Sequence, residues 1–187
     1  MAQISAFIKL SRLKFLTGGF LGVALGAIMA HRTTGAYLWP PIFAAQTVVT
    51  ALQLMTHYSN DYFDQAADVL AIRTPFSGGS GVFARKELAP AVGLLAAQSC
   101  LLIGLLVLSL FAARNNWIVV GLGVLIATLA WSYSSPPMRL HSRGLGECTT
   151  ALIVGTLVPL LSFAAASNSL SIVACLSTLP AACAMFI

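Results

Sequence analysis

Charge is scarce in this chain of 187 residues. Only 8% of them are Asp, Glu, Lys or Arg, and five of those are acids. So little polar surface cannot solvate a water-soluble domain of this length, which excludes an ordinary soluble enzyme. Basic runs interleaved with aromatics are also missing, so nucleic acid is not an expected partner. The four cysteines, Cys100, Cys148, Cys175 and Cys183, form no C-x-x-C pair. Cys100, Cys175 and Cys183 sit in apolar runs, and packing thiols are expected rather than a metal or redox centre; Cys148, near a predicted interface, is expected to be structural too. No clean A-x-A site precedes His31, so the start of the chain is expected to stay as an uncleaved first helix.

What is present is apolar. Hydrophobic residues make up 58% of the chain, and the mean hydropathy is +0.90. Nearly complete apolar spans are expected over 15–30, 37–57, 88–113, 117–133 and 145–166, with a sixth opening near 170 and running to 187. Helix is the default, because backbone facing lipid must satisfy its own hydrogen bonds. The expectation is one all-α membrane domain over 1–187: a bundle of about five complete transmembrane helices plus a truncated sixth. Pro40-Pro41, the Ser77–Gly81 stretch, Pro136-Pro137 and Asn168-Ser169 punctuate the spans. Gly18, Gly19, Gly22 and Gly26 predict close helix–helix contact in the first. Lys9, Arg12, Lys14, Arg73, Arg85, Lys86, Arg139 and Arg143 fall on one side of the bilayer, and Arg32 and Arg114 on the other. That bias puts the amino terminus on the cytoplasmic or equivalent side.

Three of the five acids lie in one run, Asn60-Asp61-Tyr62-Phe63-Asp64-Gln65-Ala66-Ala67-Asp68, just past the second span. A carboxylate at a helix centre in the bilayer costs roughly 2.5–3.5 kcal/mol. Acids kept near the bilayer core usually mark an ion or substrate site. If the second helix continues through Asp68, then Asp61, Asp64 and Asp68 share one face with Asn60. Their repulsion would be relieved by a divalent cation. The donors are oxygens, which suits Mg²⁺, and Mg²⁺ takes one or two carboxylates together with substrate phosphate. Arg73, the Gly-rich Ser77–Gly81 stretch, Arg85 and Lys86 follow, as a diphosphate would need. The competing reading is a solvated helix end paired with Arg73 and Arg85, followed by a flexible connector. Further on, the 133–147 loop carries Tyr133, Arg139 and Arg143. These are candidate anion contacts, with positive-inside anchoring as the alternative for the arginines. Glu147 is expected to complement the start of the fifth helix. His31, His57 and His141 are expected to pack at membrane edges.

The Asn60-Asp61-x-x-Asp64-x-x-x-Asp68 run resembles the first aspartate-rich motif of the UbiA superfamily of intramembrane prenyltransferases. Tyr133-Ser134-x-Pro136-Pro137-x-Arg139-Leu140, then Arg143-Gly144-Leu145-Gly146-Glu147, is similar to the branch that prenylates dihydroxynaphthoate in menaquinone synthesis. The resemblance implies a helical membrane fold, usually of nine helices, around a cavity open to lipid. It implies Mg²⁺ and transfer of a polyprenyl group from its diphosphate to an acceptor, often aromatic. Asn60, Asp61, Asp64 and Asp68 would then be the first metal and diphosphate site, with Asp61, Asp64 and Asp68 catalytic. Arg73, Arg139, Arg143 and Tyr133 would bind substrate. Tyr62, Phe63, Trp131 and Tyr133 would flank the allylic cation. Family members run to roughly 300 residues, with a second aspartate-rich motif after the sixth helix. The chain therefore resembles an amino-terminal fragment lacking a carboxyl-terminal half, and little turnover is expected of it alone. Two other readings stay open: a non-catalytic truncated paralogue, and a cation transporter or channel subunit. The second fits less well, because the acids lie at one end beside cationic residues rather than at the midplane.

Overall fold

Prolines and small residues set the helix ends. The structure, a computed structural model, describes residues 2–70 and 79–185. Helix α1 (Ala2–Ser11) stops at Arg12, whose backbone is left-handed at φ 49° and ψ 46°, and a 3₁₀ turn leads into α2 (Leu16–Thr34). Gly35, at φ 75°, ends α2. Helix α3 (Trp39–Phe63) opens on Pro40 and Pro41, where the missing N–H groups cost nothing. A short α4 (Gln65–Leu70) follows. Helix α5 (Pro90–Ala113) again starts with proline. Asn116 caps α6 (Trp117–Ser132) by accepting from the Val119 N–H, and it donates to the Ala164 carbonyl at 3.0 Å. The next span is composite: α7 (Gly146–Thr150), a π-helical stretch (Ala151–Leu157) and α8 (Val158–Ser167). Helices α9 (Ile172–Ser177) and α10 (Leu179–Ala184) complete the order, and no strand occurs among the described residues.

Helix α3 is the hub. It packs on α1, α2, α5, α6 and α8, while α2 lies along α8 and α10 crosses the π-helical stretch. Val48, Val49, Leu52 and Met55 of α3 are fully buried with Val119, Leu161 and Phe163. Outside this core, α5 exposes Leu95, Leu102, Leu106 and Leu110, each more than half exposed. A continuous apolar stripe of that kind belongs against lipid rather than water. Tyr37 and Trp39, at the end of the bundle where α2 stops, stack between His31 and Phe43 with ring centres 4.1–5.9 Å apart. Aromatics of this type sit at membrane interfaces.

The all-α membrane bundle is thus as expected. The spans differ in detail. Ala2–Thr34, Pro90–Ala113 and Gly146–Ser167 are long and apolar enough to cross a membrane, and Trp117–Ser132 and Ile172–Ala184 are shorter apolar helices. Helix α3 has 25 residues but falls outside that apolar class. The reason is its Gln46, Gln53, Thr56, His57 and Asn60, which serve grooves and a cavity instead of lipid.

The glycines of α2 do bring it close to α8. A Cβ on Gly26 would run into the Pro159 carbonyl oxygen, with Ser162 Cβ at 2.7 Å and the Phe163 nitrogen at 2.9 Å. Backbone atoms cannot step aside, so overpacking of about 1–3 kcal/mol is expected. Gly26→Ala should therefore lower the thermal midpoint in detergent by several degrees. Gly121→Ala, where a Cβ meets nothing within 4 Å, should leave it unchanged or raised. Circular dichroism melts of the two variants check this.

Candidate active site

The acids do not lie on one uninterrupted helix. Helix α3 ends at Phe63, and Asp64 is its cap at φ −98° and ψ 9°. Two interactions hold the break. The Gln65 side chain donates to the Tyr62 carbonyl at 2.7 Å, and the Asp64 carboxylate is drawn across to the loop after α6. The one-face arrangement expected from a continuous helix is therefore replaced by two directions.

Asp61 points into protein and is only 3% exposed. Its carboxylate accepts from the Ser80 N–H at 3.0 Å and from the Ser80 hydroxyl, and Arg12 Nη1 stands 3.8 Å away. A buried carboxylate needs such partners, because an unpaired charge in this setting costs several kcal/mol. Ser80 is held in turn by Arg85, which donates to its carbonyl at 3.2 Å. Arg85 also pairs with Glu87 at 2.5 Å, and Lys9 reaches Glu87 at 3.4 Å. The Arg85 hydrogen bond, helped by Lys9, holds the Glu87 carboxyl below its ordinary range. Of the Gly-rich stretch, Ser77 and Gly78 lie outside the described residues, as does Arg73. Gly79 and Gly81 have φ of 65° and 73°, and the Asp68 carboxylate lies where a Gly79 side chain would be. The Ser80 N–H expected to face an anion thus faces Asp61. Asp61 and Asp68 share a small cleft with Gln65, Gly81, Phe83 and Ala84.

Asp64 faces the other way. Ser134 donates to its Oδ2 at 2.6 Å, and His141 Nε2 lies 3.5 Å from its Oδ1. His141 is locked by Nδ1 at 2.8 Å from the Tyr133 carbonyl and by stacking on the Tyr133 ring at 5.5 Å. Two motifs 70 residues apart are therefore joined by one direct hydrogen bond and by the approach of His141 to the same carboxylate. Arg139, at φ 42°, and Arg143 are exposed, and Arg143 donates back to the Pro137 carbonyl at 2.9 Å. Tyr62, Phe63 and Trp131 form an edge-to-face row with centres 5.0 and 6.1 Å apart.

Beside these acids a cavity of about 470 Å³ opens between α2, α3, α6 and the π-helical stretch. Arg12, His57, Asn60 and Tyr133 line it, with apolar walls from Phe15, Ala130, Ile153 and Val154. Its size suits an organic ligand. The Asn60 Oδ1 atom is buried with no hydrogen-bond partner.

No three His, Cys, Asp or Glu among the described residues come together as a ready metal cage. Mg²⁺ does not require one: it binds through one or two carboxylates and completes its shell with water and substrate phosphate. The unpartnered Asn60 Oδ1 is an oxygen donor of that kind on the cavity wall, whereas the Asp61 carboxylate is turned to Ser80 and lines the separate cleft.

Residues 20–187 match the UbiA prenyltransferase family. The chain belongs to that family. The match takes in the whole acidic run, Ser80 and the 133–147 loop, and begins after Arg12. No curated protein and no solved structure compared with the chain matches it. Arg12, Ser134 and His141 were not among the expected site residues, and Ser80 was expected only as part of an anion-binding stretch. Arg12 read as an orientation charge and His141 as interfacial packing. Only the position of Ser80 in the Gly-rich stretch, and of Ser134 and His141 inside the second motif, signalled them.

The Ser134–Asp64 bond yields a direct expectation. A hydrogen bond to a charged group contributes about 1.5–3 kcal/mol. Ser134→Ala should destabilise by roughly the lower end of that range, whereas Ser142→Ala on the exposed part of the loop should stay within about 0.5 kcal/mol of wild type. Urea or thermal unfolding in micelles measures both.

Proposed function

We propose that this protein transfers a polyprenyl group from its diphosphate to an aromatic acceptor within the membrane, as a step in quinone or related prenyl-lipid synthesis. The observation that carries this reading is the direct bonding of the Asp64 and Ser134–His141 motifs beside a cavity of about 470 Å³. The diphosphate lies at the acidic end of the bundle. Asn60, Asp61, Asp64 and Asp68 are the oxygen donors that would hold Mg²⁺ there, Asp61 and Asp64 approaching from different directions, and the ion would supply neutralisation of charge on the diphosphate oxygens. Arg12 from the cavity wall, together with Arg73, Arg139 and Arg143, contacts the same oxygens and stabilises the leaving group as its charge develops. Tyr133 orients the substrate. Tyr62, Phe63 and Trp131 present electron-rich faces to the allylic carbon, and the apolar walls exclude water that would otherwise capture the cation. The basic residues gathered at this end support an orientation in which it faces the cytoplasmic or equivalent side.

Purified protein in lipid nanodiscs, given radiolabelled geranylgeranyl diphosphate, a hydroxynaphthoate and Mg²⁺, tests the reading. A low but Mg²⁺-dependent yield of prenylated product is expected, and none with EDTA. Asp64→Asn should cut the rate by about 10²-fold or more, as removal of a transition-state contact does. Normal transfer by Asp64→Asn, or transfer indifferent to EDTA, refutes the assignment.

A further inference from the structure

Three acceptors on the cavity wall have no protein partner among the described residues: the buried Gln53 Oε1 and Asn60 Oδ1, and one imidazole nitrogen of His57. His57 sits on α3 one turn before Asp61 and lines the cavity. Its Nδ1 lies 2.8 Å from the Ser11 carbonyl oxygen. A carbonyl oxygen only accepts, so Nδ1 carries a proton, and Nε2 of the neutral ring is left as a lone pair. Nε2 has no hydrogen-bond partner among the described residues. The neighbouring hydroxyls do not answer it: Thr17 donates to the Lys14 carbonyl and Thr56 to the Leu52 carbonyl. The Tyr133 hydroxyl lies toward Thr150. Arg12 supplies the cavity with cationic donors. The fixed imidazole therefore presents an acceptor to whatever fills the apolar part of the cavity.

Building on the prenyl-transfer reading, we propose that His57 Nε2 accepts a hydrogen bond from a hydroxyl on the acceptor ring, making His57 the residue that selects hydroxylated aromatics. The Ser11 tether fixes the tautomer and the ring plane. The hydroxyl is thereby held one helical turn from Asp61, with the aromatic ring against Phe15 and Ile153. A polar site of this kind rejects an analogue that lacks the donor far better than an apolar pocket rejects an extra group.

Binding tests this without any transfer step. Purified full-length chain in detergent is titrated with 2-naphthol and with 2-methoxynaphthalene, and tryptophan quenching is followed with no diphosphate present. Wild type should bind the naphthol about 10-fold or more tightly than the ether. His57→Asn retains an amide donor for the Ser11 carbonyl but loses the atom at Nε2, and its preference should fall to about 2-fold or less. His57→Gln, which restores an acceptor near Nε2, should recover part of the preference. Wild type without a preference, or a folded His57→Asn that discriminates as wild type does, overturns the inference. Neither outcome depends on whether prenyl transfer occurs, and a failed transfer assay leaves the binding result standing.

Discussion

The constraint on which this architecture rests is the burial of one carboxylate. Asp61 sits at the end of a helix that forms the hub of an apolar bundle, and it has almost no contact with solvent. A charge so placed persists only when surrounding groups hold it. Ser80 supplies an N–H and a hydroxyl, and Arg12 supplies positive charge nearby. Each of those partners has its own support: Ser80 through Arg85 and Glu87, and Arg12 through the left-handed turn that breaks α1 from α2 and through its stacking on Phe15. The loop after α4, the amino-terminal helix and the end of α3 are thereby tied into one end of the molecule.

The second acid extends that network in another direction. Because α3 ends at Asp64, its carboxylate swings to Ser134 and His141 rather than stacking beneath Asp61. Separating the acids lowers their mutual repulsion, and it lets each organise a different loop. The cavity lies between the helices these loops connect, so the charged end and the apolar walls are parts of one construction. Its walls need close helix contact, and this explains why α2 carries glycine where it meets α8 and the π-helical stretch.

Helix α3 reconciles two demands that oppose each other. Spanning a bilayer favours an apolar surface, while a polar cavity needs amides, hydroxyls and an imidazole. The conflict is resolved by shielding. Helices α2, α5, α6 and α8 surround α3, and the lipid-facing stripe is left to helices such as α5. Polar residues on a helix enclosed in this way face protein, where partners can be built for them. Gln46 donating to Thr50 and His57 tethered to Ser11 are two results.

Composition alone determined that the chain is a helical membrane protein, because 58% hydrophobic residues with 8% charge admit few other structures. Proline and glycine positions located most helix ends within a few residues, since their backbone limits act locally. The acidic run likewise singled itself out, because charge at the edge of an apolar segment is costly wherever the segment packs. The directions of Asp61 and Asp64 were beyond local reading. They follow from Ser80, Ser134 and His141, residues 19–77 positions away from the acids they hold, whose ordinary identities gave little notice of their roles. Arg12 was legible as a charge near the membrane but not as the neighbour of Asp61, and His57 as an edge histidine but not as a cavity wall. Hydropathy and motif spacing depend on chain neighbours, whereas a hydrogen bond depends on which distant segments meet; only the folded bundle decides that.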